Sequence, residues 1–173
     1  MQKLSMEALG RKTTEEYKKI DKLPIVVILD NIRSMHNVGS IFRTADAFLI
    51  ESVYLCGFTP QPPHRDIHKT ALGATETVNW KYYNTTLEAV QYLKKQHYTI
   101  WAIEQTTKSI ALQNIAFHKK RSAIIFGNEI AGVEADVLSL CDAAIEIPQY
   151  GTKHSLNVSV AAGIVLWQMI NSL

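Results

Sequence analysis

The sequence predicts an α/β protein whose mostly parallel sheet is covered by helices on both faces. Short β-rich apolar runs alternate with helical patterns along the chain, as expected for successive βαβ units. Most of the runs are continuously apolar, which is typical of parallel strands buried on both sides. With 173 residues, of which 47% are hydrophobic, the chain can build one domain with a sizeable core.

Five strands are predicted, one for each apolar run. The runs lie at residues 25–29 (IVVIL), 53–56 (VYLC), 99–103 (TIWAI), 123–126 (AIIF) and 143–147 (AAIEI). We assign residues 1–23, which are rich in Lys and Glu, to an N-terminal arm or short helix, and residues 24–173 to a single domain. The polar stretch 57–76 is expected to be one long loop, and loops of that length are usually functional or mobile.

Helices are predicted between the strands from periodicity and capping residues. Apolar side chains recur at helical spacing from Val38 to Leu49, with Asn37 as the expected N-cap. Thr85 stands at capping-box spacing from Glu88 and begins the next helix. A further helix is expected to start after Gly132.

The C-terminal helix, about residues 156–171, is apolar nearly all round. A helix without a polar face has to be covered on every side. A second copy of the chain is the most economical cover, so we expect a homodimer through this helix.

Composition restricts the classes of function. The formal net charge is only +2, so a nucleic-acid partner would have to be held by local basic patches. Cys56 and Cys141 lie in apolar runs without C-x-x-C spacing, and we expect both to be reduced and buried. No run reaches the ~18 apolar residues of a membrane span, and no signal-like core follows Met1. A cytoplasmic protein is expected.

The first candidate site is the stretch DNIRSMHNVGSIFRTADAF at residues 30–48. Helical geometry places Gly39, Arg43, Asp46 and Ala47 opposite the apolar stripe, so Arg43 should project near the C-terminal end of the first strand. Ligands of open α/β sheets bind at that end. The alternative is an exposed ion pair between Arg43 and Asp46, three residues apart.

Two later stretches also place polar residues at strand ends. IIFGNEIAGVE (124–134) runs from an apolar strand into Gly-Asn-Glu, which allows close backbone approach and fixes a carboxylate at the strand tip. PQYGTKHSLNVS (148–159) joins a strand to the last helix, and Gly151 is expected to allow a tight loop there. Ordinary strand-to-loop chemistry and simple N-capping are the alternatives for these two stretches.

In combination, the three stretches resemble the motifs of the SpoU group within the SPOUT class of RNA ribose 2′-O-methyltransferases. The matching segments, in the order of that group, are NVGSIFR (37–43), FGNEIAGVE (126–134) and IPQYGTKHSLNVSVAAG (147–163). The resemblance covers about residues 24–172 and implies a deep C-terminal trefoil knot, S-adenosylmethionine as cofactor and an active site at a homodimer interface. Periodicity alone could not show the knot, whereas the apolar C-terminal helix agrees independently with a homodimer.

The resemblance also assigns roles to individual residues. Arg43 is implied to activate the ribose hydroxyl, either as a base or by stabilising the forming alkoxide. The residues implied to order the target nucleotide and Arg43 are Asn37, Glu129, Ser155 and Asn157. Those implied to contact the cofactor, largely through backbone atoms, are Ile103, Gly127, Ile147 and Leu156.

RNA contacts are predicted from clusters of basic residues. The clusters are PHRDIHK (63–69), HKKR (118–121) and TKH (152–154), and the candidate contacts are Arg33, Arg65, Lys69 and Lys153. His64 and His68 have metal-ligand spacing but no evident third ligand, so no metal is expected. Whether the RNA is tRNA or rRNA, and which nucleotide is methylated, stays open.

Two rival hypotheses belong to other functional classes. A non-catalytic RNA-binding knot protein is disfavoured because Arg43, Glu129, Ser155 and Asn157 are all present. A nucleotide-binding oxidoreductase is disfavoured because the first strand is not followed by a Gly-rich fingerprint.

Overall fold

The fold is built on a seven-stranded sheet. The computed structural model describes residues 1–5, 8, 10, 12–117 and 120–172. The strands are β1 (Leu23–Asp30), β2 (Ile50–Cys56), β3 (Asn79–Tyr83), β4 (Thr99–Ile103), β5 (Ile110–Ala111), β6 (Ser122–Phe126) and β7 (Ala143–Glu146). Their spatial order is β3-β2-β1-β6-β4-β7-β5, and every pair of neighbouring strands is parallel.

Helices cover both faces of the sheet, as predicted. They are α1 (Thr14–Lys19), α2 (Met35–Ala47), α3 (Arg65–Ala71), α4 (Ala74–Thr77), α5 (Thr86–Lys95), α6 (Ala135–Leu138) and α7 (Val158–Asn171). One core contains Val27 and Leu29 of β1 and is covered by α1 to α4 and α7. The other contains Val26 and Ile28 and is covered by α5 and α6. Burial on both faces explains why β1 is continuously apolar.

The five predicted strands are confirmed, and two edge strands were missed. In β3 three of the five residues are exposed, so its sequence NWKYY lacks the apolar run of a central strand. β5 has only two residues and is too short to produce a pattern. Both strands lie at the edges of the sheet, where burial constrains the sequence least.

The prediction that Asn37 caps α2 is wrong. The cap is Ser34, whose hydroxyl accepts a hydrogen bond from the Asn37 N–H at 3.3 Å. Gly39 is also not on a solvent face: it is buried, and an added Cβ would collide with α3 at Thr70 and Ile67. The close approach of α3 to α2 therefore depends on glycine.

The stretch 57–76 is not one long loop. It contains α3 and begins α4, and α3 packs against α2 and buries Ile67 and Ala71. His64 caps α3, because its Nδ1 accepts a hydrogen bond from the Asp66 N–H at 3.1 Å. Two buried positions in a seven-residue helix are too few to produce a clear apolar period.

The remaining sequence expectations concern cysteines and membrane spans. Cys56 is buried and Cys141 half-buried, and both are free thiols. Burial raises the pKa of the Cys56 thiol to about 12, so the unreactive thiol form dominates at neutral pH. Even α7, the most apolar helix, has only 14 residues, and none of the helices in the described part of the chain is long and apolar enough to cross a membrane.

Candidate active site

A cavity of about 570 Å³ lies at the carboxyl ends of β6, β4 and β7. These three strands are neighbours in the sheet although β4 precedes β6 in the chain, so their tips open onto one space. Ile103, Gly127, Ile147 and Leu156, the four positions predicted to contact a cofactor, all line it. Its volume falls in the range of ~300–1,000 Å³ that is usual for small-molecule and cofactor sites.

A chain of hydrogen bonds beside this cavity joins all three sequence motifs. The Asn37 Nδ2 amide donates to Glu129 Oε1 at 3.1 Å, and Asn37 Oδ1 accepts from Asn157 Nδ2 at 3.1 Å. Because Ser34 caps α2, the Asn37 side chain is free to bridge its two partners. Three side chains that are distant in sequence therefore fix one another at one end of the sheet.

Hydrogen bonds keep Glu129 ionised. Burial opposes ionisation, but backbone N–H groups, including that of Arg33 at 3.2 Å from Oε2, and the Asn37 amide together lower the pKa of the carboxyl below its ordinary value. A carboxylate that accepts several N–H donors is favoured in its charged form. The lining of the cavity thus contains a negative charge at neutral pH.

Asn157 also begins the last helix. Its Oδ1 accepts from the Ser159 N–H at 3.0 Å, which makes it the N-cap of α7. The N-capping alternative is therefore correct for this residue, and the same side chain bonds to Asn37 through its Nδ2. Ser155 lines the cavity two residues earlier. The Asn157 amide thus caps α7 through its oxygen and joins the start of α7 to α2 through its nitrogen.

Arg43, the residue implied to activate the ribose hydroxyl, lies on α2. It is exposed on α2 and is not among the residues that line the cavity. The predicted alternative, an ion pair with Asp46, is wrong: Asp46 accepts a hydrogen bond from the Thr77 hydroxyl, and Arg43 makes no ion pair with any described residue. Its guanidinium is therefore available to a group from outside this chain.

Sequence reasoning missed two polar residues that shape the cavity. Glu104, directly after β4, lines the cavity and accepts from the Val133 N–H at 3.0 Å. Asn128, the second residue after β6, is buried, accepts from the Ile130 N–H at 2.9 Å and donates to the Asn31 carbonyl at 2.6 Å. The available signal was their position, since each follows the last residues of a buried strand.

The loop after β7 is anchored to the segment after β4. Gln105 Nε2 donates to the His154 carbonyl at 2.9 Å, and Gln149 and His154 line the cavity from the same loop. Gly151 was expected to allow a tight loop, but the loop does not require glycine at this position. Its φ is outside the left-handed range and an added Cβ would meet no atom within 4 Å.

The four candidate RNA contacts lie in three places. Arg33 is exposed next to the Glu129 carboxylate, and Lys153 is exposed in the loop after β7. Arg65 and Lys69 line a second cavity, of about 580 Å³, on α3. Lys69 also forms an ion pair with Asp66 at 2.7 Å, which reduces the charge it can offer to a phosphate.

Two further sequence expectations concern basic and metal-binding residues. Half of the HKKR cluster, His118 and Lys119, lies outside the described residues. Within the described part of the chain, His, Cys, Asp and Glu side chains form no group of three that could hold a metal ion.

Known proteins share both the sequence and the fold of this chain. A tRNA (guanosine(18)-2′-O)-methyltransferase from Thermus thermophilus is 30% identical over 158 residues, which cover 91% of this chain and 80% of the relative. A 23S rRNA (guanosine-2′-O-)-methyltransferase from Neisseria meningitidis is 32% identical over 152 residues, with 86% of this chain and 59% of the relative covered.

Solved structures agree with these relatives. The Aquifex aeolicus TrmH/SpoU tRNA modifying enzyme matches with a TM-score of 0.81 and 26% identity, over 92% of this chain and 79% of its own. An rRNA methyltransferase from Sinorhizobium meliloti, solved with AdoMet bound, matches with a TM-score of 0.82 and 26% identity, over 91% of this chain and 60% of its own. The model of the SpoU rRNA methylase family matches residues 24–167. This chain therefore belongs to the SpoU rRNA methylase family.

Proposed function

We propose that this chain transfers a methyl group from S-adenosylmethionine to a ribose 2′-hydroxyl of RNA. The observation that carries the proposal is the hydrogen-bond chain from Glu129 through Asn37 to Asn157, which unites three sequence motifs beside one cavity. The relatives support it, since they are named guanosine 2′-O-methyltransferases of tRNA and of 23S rRNA.

The cavity fits S-adenosylmethionine. Ile103, Ile147 and Leu156 give it apolar walls, while the Glu104 and Glu129 carboxylates, also in its lining, complement a positive charge. Leu156 is 38% exposed, so a ligand in the cavity would cover apolar surface that otherwise faces water. When bound, the cofactor supplies a methyl group that its sulfonium already activates for transfer.

The protein then has to position the hydroxyl and favour loss of its proton. We assign Arg43 to gripping an RNA phosphate and stabilising the forming alkoxide, because guanidinium pKa values above ~12 make arginine a poor base. Asn37, Glu129 and Asn157 form a rigid polar edge that we assign, with Ser155, to ordering the target nucleotide.

RNA binding would use the exposed cations around this edge. Arg33 and Lys153 flank the cavity, because the Arg33 backbone bonds to Glu129 and Lys153 lies in the loop that lines the cavity. Arg65 and Lys69 extend the surface along α3, which packs on α2. Phosphate contacts of this kind position the RNA and make its affinity depend on salt.

The proposed activity is tested by tritium transfer from labelled S-adenosylmethionine into unmodified total tRNA and, separately, unmodified rRNA. We expect label in one pool, recovered after digestion as a 2′-O-methylated nucleoside. A base-methylated product would contradict ribose as the acceptor. Measurable cofactor binding without label in either pool would instead favour the non-catalytic RNA-binding protein.

We also propose that residues 24–173 form one domain with the C-terminal trefoil knot of the SPOUT class, and that residues 1–23 form an N-terminal arm or short helix whose α1 packs on that domain through Tyr17. The order β6-β4-β7 supports the knot. β6 and β7 lie on opposite sides of β4, so the chain crosses β4 between these two strands before it forms α7. The hydrogen bond from Gln105 to His154 also ties the final loop to the segment after β4.

A homodimer through α7 is the third part of the proposal. Val160, Ile164 and Trp167 are 50%, 39% and 57% exposed and form one stripe along the helix. Gly163 lies beside this stripe, and an added Cβ there would meet no atom within 4 Å. Glycine inside a helix is destabilising by roughly 0.5–1 kcal/mol relative to alanine. Packing within a single copy of the chain does not require glycine at position 163. Close approach of a second helix would explain it.

Ile164→Asp should convert the dimer into monomers. A buried unpaired carboxylate at an apolar interface is strongly unfavourable, so we expect at least about tenfold weaker dimerisation by sedimentation equilibrium. Ile110→Asp on β5 is the matched control, because Ile110 is 40% exposed and Ile164 is 39% exposed. A monomeric wild type, or a dimer unaffected by Ile164→Asp, would exclude this interface.

A further inference from the structure

Phe58 is an exposed aromatic ring held in a fixed position. Its side chain is 58% exposed, in the turn that follows β2. Gly57 adopts a φ of +62°, and the Phe58 N–H donates to Asn31 Oδ1 at 3.2 Å. An added Cβ at Gly57 would overlap the Asn31 side chain, so this turn requires glycine.

Neighbouring side chains anchor the same turn on both sides. The buried Thr59 hydroxyl lies 2.7 Å from the Cys56 carbonyl and 3.0 Å from the Leu29 carbonyl, either of which can accept its proton, and it accepts from the Ile32 N–H at 3.0 Å. On the other side, the Tyr82 hydroxyl donates to the Gly57 carbonyl at 3.0 Å. The ring of Phe58 is therefore presented to solvent on an ordered backbone, which lowers the entropy cost of binding a ligand there.

Arg33 links this ring to the candidate active site. Its guanidinium carbon lies 5.9 Å from the centroid of the Phe58 ring. The Arg33 N–H donates to Glu129, whose other oxygen binds Asn37. Phe58 thus lies next to the polar edge that we assign to ordering the target nucleotide.

We propose that Phe58 and Arg33 form a stacking site for an unpaired nucleobase of the RNA substrate, adjacent to the nucleotide that is methylated. The inference rests on the proposed function. An exposed aromatic ring beside an arginine offers a base one π-face and one planar cation, and the cation can also reach the phosphate. A single exposed ring is far too small an apolar surface for a stable protein interface.

The test compares Phe58→Ala, Phe58→Leu and Phe58→Trp. Each variant is assayed for binding of unmodified total tRNA and, separately, unmodified rRNA in the absence of cofactor, and for KM and kcat in methyl transfer. We expect Phe58→Ala and Phe58→Leu to weaken RNA affinity and raise KM for RNA roughly tenfold, with little change in kcat. Phe58→Trp should retain the RNA affinity of the wild type. Affinity for S-adenosylmethionine should be unchanged in all three.

Tyr92→Ala is the matched control. Tyr92 is 40% exposed and has the Lys81 ammonium 5.2 Å from its ring centroid. It lines a separate cavity with residues at the starts of β2 and β3, at the other end of the sheet from Phe58. Its removal should leave RNA affinity within about twofold of the wild type.

The outcomes separate this inference from the proposed function. Three results would each overturn the stacking site. They are wild-type RNA affinity in Phe58→Leu, wild-type RNA affinity in Phe58→Ala, and a loss of RNA affinity in Tyr92→Ala as large as that in Phe58→Ala. A wild-type protein that binds RNA in a Phe58-dependent manner but transfers no methyl would overturn the methyltransferase and leave the stacking site standing. Thermal melts establish that each variant is folded.

Discussion

Arg43→Ala should reduce methyl transfer to RNA by at least about a hundredfold while S-adenosylmethionine binds with unchanged affinity. Removal of one electrostatic stabiliser from an active site typically costs ~10²–10³ in kcat. The structure explains why binding should survive, since Arg43 is exposed on α2 and does not line the cavity. Single-turnover transfer of labelled methyl groups, with calorimetry for cofactor affinity, measures both quantities.

Arg43→Lys separates the two chemical roles that are open for this residue. Lysine keeps the positive charge but loses the planar fork that grips a phosphate at two points. If Arg43 stabilises charge, the Lys variant retains part of the activity with an unchanged pH profile. If Arg43 acts as a base, the lower pKa of lysine shifts that profile. Full activity of Arg43→Ala would remove the residue from the mechanism.

The sequence predicted the strands near the site but not the order in which they lie. Apolar runs identify β4, β6 and β7 because all three are buried in the sheet. Periodicity describes each run separately, so it cannot show that β4 lies between β6 and β7. That order is what brings Ile103 and Gly127 to one cavity. Only resemblance to a family could predict this convergence.

Asn37 shows how a local rule gave the wrong role to a correctly chosen residue. It directly precedes the apolar stripe of α2, and asparagine is a preferred N-cap, so it was predicted to be the N-cap of this helix. The helix starts three residues earlier than predicted, with Ser34 as its cap. The amide of Asn37 instead binds residues 92 and 120 positions away, Glu129 and Asn157. Contacts at such separations leave no trace in local periodicity.

Arg43 marks a different limit of sequence reasoning. Its exposure follows from helical periodicity, which placed it opposite the apolar stripe. Its place outside the cavity lining could not be predicted in that way. We propose that, in a dimer through α7, a second copy completes the site. The exposed stripe on α7 contains Trp167, whose ring centroid lies 6.0 Å from that of Phe48 at the end of α2, so this stripe is in contact with α2.

Gly127→Ala should both destabilise the protein and weaken its binding of S-adenosylmethionine. Gly127 directly follows β6, where the chain turns back through the Asn128–Gly132 bridge. An added Cβ would overlap the backbone of Gly132 and Val133 and lie 2.6 Å from the Gly132 carbonyl oxygen. Backbone cannot move aside as a flexible side chain can, so the loop that walls the cavity must shift.

Overpacking of this kind costs ~1–3 kcal/mol, and 1 kcal/mol corresponds to ~2–4 °C in Tm for a domain of this size. We therefore expect a Tm lower by about 2–12 °C and cofactor affinity reduced at least about tenfold by calorimetry. Gly151→Ala is the control, since its Cβ meets no atom within 4 Å, and its Tm should equal that of the wild type. If Gly127→Ala bound the cofactor normally, the cavity at the tip of β6 would not be the cofactor site.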